Sequence, residues 1–371
     1  MNSTYHFKIL RTLPLIILFW VYCLLSMELY GNRIRYSWQY NTITHRLLQL
    51  EEETSSIRGK KLTKFFDDRY KVLDHLISDC SVKIKYKTGE TDRNTIVSIL
   101  RNIDTILAKN HFCFCVPVRK LSQSLKLESK QNNFNCELRN YYHNYRKQYY
   151  EQVSTLYHID CDMGSFIYLG IAEVLKLPLK MVEVPQHNFV RWMINDSIYI
   201  NWDVNMADSI SDDEYRKGSS ESRAFNKIKE DKYGYLLNLS DSTIKGYYYL
   251  LIGRSLKTQK RYDLAQKCYE LSISLRPRSP WGRYYLGYMI VFTGCCNSYL
   301  YANKLLQEAV EIYPASEYVE ALACSLALLG KQDEAVKVIS DYNVKNEELI
   351  LAFQKGQTGI EVYKKHHNVI D

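Results

Sequence analysis

No Cys-x2-Cys pair of the kind that builds a zinc knuckle occurs in the 371 residues. The ten cysteines come closest at Cys113 with Cys115 and at Cys295 with Cys296, spacings that do not close a tetrahedral site. A disulfide framework is equally missing, so most of these thiols read as small buried hydrophobes. No metal and no cofactor is expected. Extremes of composition are absent too: 46% apolar and 24% charged residues exclude a disordered chain and a multi-span membrane protein. The net charge of +8 is spread along the chain rather than gathered into one patch, so it points weakly to any acidic partner. The excess is in tyrosine, with 32 copies. Many stand in stretches such as Tyr141 to Tyr150, where interleaved basic residues suit either base stacking or an amphipathic helix packed on a neighbour. The helix is the expectation, and no nucleic-acid partner is expected.

Charge is lacking altogether between Arg11 and Glu28. The interval Thr12 to Met27, extended to Tyr30 if Glu28 snorkels, approaches the ~20 residues that cross a bilayer. A cleaved signal peptide would want paired small residues at the cut, and neither Ser26 nor Gly31 has one two residues upstream. Residues 1–35 are therefore expected to hold an uncleaved transmembrane helix. Lys8 and Arg11 balance Arg33 and Arg35, but the short leading tail places the body outside the cytoplasm, as a single-pass membrane protein. That compartment would allow some cysteine pairing, which the spacing leaves unspecified.

Residues 36–89 read as a polar helical stalk or linker, with Leu47, Leu48 and Leu50, then Tyr70, Val72, Leu73 and Leu76, at helix spacing. A domain is expected over 90–235. Asp92 is placed to cap a helix whose apolar face is Ile96, Ile99, Leu100, Ile103 and Ile106. Phe112 to Val118 reads as a strand or a buried connection. From Cys161 a helix runs to a stop before Pro178. Three strand-like runs follow, Leu179 to Val184, His187 to Ile194 and Ile198 to Asp203, broken at Pro185-Gln186 and Asn195-Asp196-Ser197. The arrangement is α+β, the helix covering an antiparallel sheet.

Register decides what this hairpin brings together. A two-residue loop would set His187 and Asp203 on opposite faces. A three-residue loop at Asn195-Asp196-Ser197 pairs Ile194 with Ile198 and Phe189 with Asp203, leaving His187 diagonal to Asp203 on one face. Cys161 stands where its helix begins, a position that favours a thiolate. Its neighbours Asp160 and Asp162 oppose ionisation unless they point elsewhere.

Residues 243–345 contain an internal repeat. One copy is Tyr249, Ile252-Gly253, Leu256, Ala265, Tyr269 and Pro277. A second is Leu286-Gly287, Ile290, Ala302, Leu306 and Pro314, and a third is partial at Cys324, Leu328 to Gly330 and Asp333 to Ala335. Small residues are required where paired helices approach, and the pattern resembles tetratricopeptide repeats, an all-α solenoid. Tyr284, Tyr285 and Tyr288 would suit its concave groove or its inter-repeat core. Residues 346–371 read as a C-terminal tail.

The string from Cys161 to Pro178, with Val182-Glu-Val-Pro-Gln-His187-Asn-Phe-Val-Arg-Trp192 and Ile200-Asn-Trp-Asp203, resembles the transglutaminase-like superfamily. The phrasing is closest to a bacterial branch in which this domain precedes tetratricopeptide repeats. The usual Gly before the stop is replaced by Lys176. Many members of that branch lack the Cys, which this chain keeps. The resemblance implies a papain-like core with Cys161 as nucleophile, His187 as general base and acid, and Asp203 as orienting carboxylate. The reaction implied is acyl transfer at an amide, with water (peptidase or deamidase) or an amine (transglutaminase) as second substrate. A backbone N–H near Cys161 is the default oxyanion donor. The repeats would position a protein or peptide substrate. The alternative is a catalytically inactive scaffold that binds proteins through its repeats.

Overall fold

The computed structural model describes residues 36–55, 59–114, 118–129, 144–150, 153–218, 222–295 and 298–367. The described residues from Gln39 onward belong to one compact unit. In chain order the elements leading to the site are α1 (Ile43–Thr54), α2 (Lys60–Lys83), α3 (Arg93–Lys109), β1 (Phe112–Phe114), α4 (Leu121–Ser124), β2 (Glu128–Ser129), α5 (Asn144–Tyr150), β3 (Thr155–Ile159) and α6 (Cys161–Leu175). Then come β4 (Leu179–Val184), β5 (His187–Met193), β6 (Tyr199–Trp202), α7 (Asp212–Lys217) and α8 (Lys227–Tyr233). The remainder is helical: α9 (Asp241–Thr258), α10 (Tyr262–Leu275), α11 (Trp281–Thr293), α12 (Tyr299–Ile312), α13 (Ser316–Leu328), α14 (Gln332–Asp341), α15 (Glu347–Gln354) and α16 (Ile360–His366).

Two expectations are corrected here. Helices take 62% of the described residues, so the α+β class with one antiparallel sheet gives way to a mainly helical fold. Its strands form two small three-stranded sheets. One has the order β1-β3-β2, with β1 parallel and β2 antiparallel to β3; the other is the antiparallel β4-β5-β6. The physical reason is length: strands of two to seven residues cannot cover the apolar faces that α1 to α4 and α9 to α16 present. The second correction concerns the transmembrane helix and the single-pass membrane location. Among the described residues no helix is long and apolar enough to cross a membrane. The longest, α2, has 24 residues but carries ten Lys, Arg and Asp side chains. The segment Thr12 to Tyr30 on which that expectation rested lies outside the described residues.

Helix α6 is apolar all round and buried from Met163 to Ala172, the pattern of a helix packed on every side. The sheet β4-β5-β6 packs against it, and so do α1 and α2, from the segment read as a stalk. Gly170 permits the approach of α1, since a Cβ there would stand 2.2 Å from Thr44 Oγ1, and the Thr44 hydroxyl donates to the Phe166 carbonyl at 2.6 Å. The first amide of α1 donates to Glu173 at 2.6 Å, so a carboxylate on α6 does what an N-cap residue would do. Helix α3 has its expected cap, Asp92 accepting from Thr95 N–H at 2.8 Å, and buries its expected apolar face. Helix α6 ends at Leu175 with Lys176 left-handed, φ 56°, a conformation that favours glycine.

Successive C-terminal helices pack in pairs, α9 on α10, α11 on α12 and α13 on α14. Small residues sit at the crossings. A Cβ on Gly253 would meet the Tyr269 ring at 2.6 Å, and one on Gly287 would meet Leu306 at 2.7 Å. Tyr284 and Tyr288 are core residues here: Tyr284 stacks on Tyr318 at 4.2 Å and Tyr288 on Phe292 at 4.6 Å. The residues assigned to a tail include α15 and α16, which bury Leu349, Phe353 and Tyr363.

Candidate active site

The start of α6 is built by Asp160, whose side chain accepts from the N–H of Met163 at 3.1 Å and of Val118 at 2.9 Å. Cys161 is the first helical residue and is half-buried. Its sulfur lies 3.8 Å from Asp162 Oδ1 and receives the main-chain N–H of Asn188. His187 opens β5 directly after a two-residue turn. Pro185 takes the first corner and Gln186 the second, at φ 65°, the geometry of a type II turn.

The β5-β6 register is that of the three-residue loop. Ile194 N–H donates to Ile198 O at 2.9 Å, and Val190 faces Trp202. The ladder therefore carries Asp203 towards Phe189 and within reach of His187, whose Nε2 lies 2.7 Å from Asp203 Oδ2. Both side chains are fully buried. Asp203 has every acceptor position engaged. Oδ1 takes the N–H groups of Asn205 and Met206, each at 3.0 Å, and Oδ2 takes the Tyr215 hydroxyl at 3.1 Å besides the imidazole. One oxygen thus caps the turn after β6 while the other holds His187. With Nε2–H committed to a carboxylate, the lone pair of the neutral imidazole is on Nδ1.

Electrostatics divide the three residues. Burial alone would push Asp203 up, but His187, the Met206 N–H and the Tyr215 hydroxyl hold it below the usual carboxylate range. Cys161 goes the other way. Burial, then the carboxylates of Asp162 and Asp160, push its thiol well above the usual range against the Asn188 N–H. Burial and Asp162 push Asp160 itself up to about 7. These influences favour the thiol form of Cys161 over the thiolate.

Cys161 and His187 line one cavity of about 420 Å³, together with Asp162, Asn188, Tyr247 and Arg254. Asn188 and Tyr247 are site residues that the sequence did not point to. The Tyr247 hydroxyl donates to Asp162 Oδ2 at 2.9 Å, and the Asn188 amide donates to Asp162 Oδ1 and, at 3.2 Å, to the Tyr247 oxygen. Asn188 has a sequence signal, its place beside the His. Tyr247 has none: it comes from α9, 59 residues after Asn188. Tyr215 was missed for a similar reason, since it reaches Asp203 from α7, a single short helix.

One group elsewhere could hold a divalent cation. Glu320, His366 and His367 bring ligand atoms within 4.8 Å of one another. They also satisfy one another, His367 Nε2 pairing with Glu320, and Asn346 Nδ2 lies 3.0 Å from Glu320 Oε1 and 2.9 Å from His366 Nδ1.

The chain matches no family model, no curated protein and no solved structure.

Proposed function

We propose that the chain is a cysteine acyl-transfer enzyme acting on amides of a protein substrate, with a transglutaminase-like site and tetratricopeptide-like helical pairs beside it. The observation that carries the proposal is the His187 Nε2 to Asp203 Oδ2 bond of 2.7 Å, with the imidazole and the Cys161 sulfur opening to one cavity. A carboxylate that fixes the imidazole tautomer and steadies its cation is what a thiol nucleophile needs from a third residue. Because Asp160 and Asp162 disfavour a free thiolate, attack is general-base assisted. Cys161 Sγ bonds to the amide carbon as His187 Nδ1 takes the thiol proton. The C–N bond then breaks, the imidazolium returns that proton to the departing amine, and a thioester remains. Water or an amine, deprotonated by His187, displaces the sulfur and regenerates the thiol. The N–H groups of Asp162 and Met163 are turned to the Asp160 carboxylate, which leaves the Cys161 N–H as the oxyanion donor in this turn.

An activated ester tests this directly. The full chain should release one equivalent of nitrophenolate per Cys161 in a burst, absent in Cys161→Ala and slowed by about 10²- to 10⁴-fold in His187→Ala. No burst from the wild-type chain ends the enzymatic reading. The second reading, an inactive scaffold, is favoured by the Asp162-Asn188-Tyr247 network around the sulfur. It predicts partner capture that survives Cys161→Ala and disappears when residues 243–345 are deleted.

A further inference from the structure

The cavity at Cys161 continues past the triad. Arg119, Arg254 and Tyr285 line it and also line a second cavity of about 930 Å³, bounded by α9, α11 and α16. Arg223, Lys257, Lys260 and Lys364 bring the cations around this groove to six, against a single carboxylate, Glu317. Elsewhere the described chain matches its buried cations with acids: Arg146 with Asp104, Arg191 with Asp212, Arg276 with Glu183. Arg119, Arg254 and Lys257 are different. Arg254 stands 4.9 Å from the centroid of the Tyr285 ring and Lys257 4.4 Å from that of Tyr288. Burial, then the charges of Arg119 and Arg254, push the Lys257 ammonium below the ordinary range. Burial, then Arg254, lowers Arg119 as well. Arg119 is exposed while Arg254 and Lys257 are half-buried, and such a cluster of like charges is unfavourable by itself and is relieved by an anion.

The form of the groove narrows the anion. A single inorganic ion would leave most of 930 Å³ and several of the cations unused. A single-stranded nucleic acid would seek ring faces for its bases, but the faces of Tyr284 and Tyr288 are spent on Tyr318 and Phe292. A polypeptide with carboxylate side chains needs cations at intervals and no free rings, and the groove opens where an amide would meet Cys161. Resting on the acyl-transfer reading above, we infer that the substrate is a polypeptide with a run of Asp or Glu side chains next to the amide that Cys161 attacks, the acidic run lying along Arg119, Arg254 and Lys257.

The test is fluorescence anisotropy of the full chain with a labelled short oligoglutamate, an oligoglutamine of equal length and a single-stranded oligothymidylate. Oligoglutamate should bind more than about tenfold more tightly than oligoglutamine, and more weakly as salt is raised. The pair Arg254→Gln and Lys257→Gln should lose that preference, while Arg254→Lys with Lys257→Arg, which keeps both charges, should retain it. Equal binding of the two peptides, tighter binding of the oligonucleotide, or full affinity in the Gln pair with native circular dichroism overturns the inference. The two ideas fail separately. An acidic-peptide preference without an ester burst leaves the binding site and removes the enzyme; a burst without charge preference does the reverse.

Discussion

In the body around α6, buried charges are tied across long stretches of chain: Arg146 reaches Asp104, 42 residues away, and the Val204 and Asn205 carbonyls of the turn after β6. Among the helices α9 to α14 the contacts run between neighbours, Gly253 against Tyr269 and Gly287 against Leu306, with few polar groups buried between them. The difference places precision where it is used. A hydrogen-bonded network has one satisfied arrangement and so fixes the imidazole and carboxylate within narrow limits, whereas stacked helical pairs share stability between adjacent units and tolerate a broad groove.

The strongest way to break this contrast is to unpair the body. Arg146→Leu takes the guanidinium away from the buried Asp104 carboxylate, and denaturant titration should show a loss of about 3–5 kcal/mol; a loss under 1 kcal/mol would mean that the network is not holding the turn that bears Asp203. Gly253→Val makes the matching test in the helices. Its Cβ must displace the Tyr269 ring, at an expected cost of about 1–3 kcal/mol, with hydrogen exchange speeding up in α9 and α10 and not in α6. Lys176→Gly runs the other way. Relieving a left-handed lysine should raise stability by about 1 kcal/mol, seen as a higher melting temperature.

The smallest effect is a matter of sign with pH. Asp203 is held below its unfolded value of about 3.9, so its contribution is complete above that pH and disappears as pH falls through the lower folded value. The melting temperature of the wild type should fall in that acid window more steeply than that of Asp203→Asn. Parallel acid limbs would show that the carboxylate is not charged against His187.

The helix from Cys161, its stop before Pro178, the three strand runs and the Asp92 cap were legible because each is a local signal, a periodicity or a breaker. Loop length left two registers open in the sequence, and the structure takes the three-residue loop that sets His187 beside Asp203. The Gly253 and Gly287 crossings were legible through their spacing. What was hidden came from distant chain: Tyr247 over Asp162, Tyr215 on Asp203, α1 and α2 packed on α6. The mainly helical balance was misjudged because a run of apolar strands says nothing about how many helices will cover them. The apolar run at residues 12–30 was read by composition, and the described helices offer no membrane-crossing element.

By itself the sequence determined which residues share a face and a turn, because side-chain period and turn chemistry depend only on neighbours along the chain. Only the tertiary structure decided the state of the sulfur and the charge of the groove beside it. Asp160 and Asp162 flank Cys161 in the sequence, but the burial of the sulfur, the direction those carboxylates take, and the meeting of Arg119 with Arg254 and Lys257 are properties of packed space that no local pattern encodes.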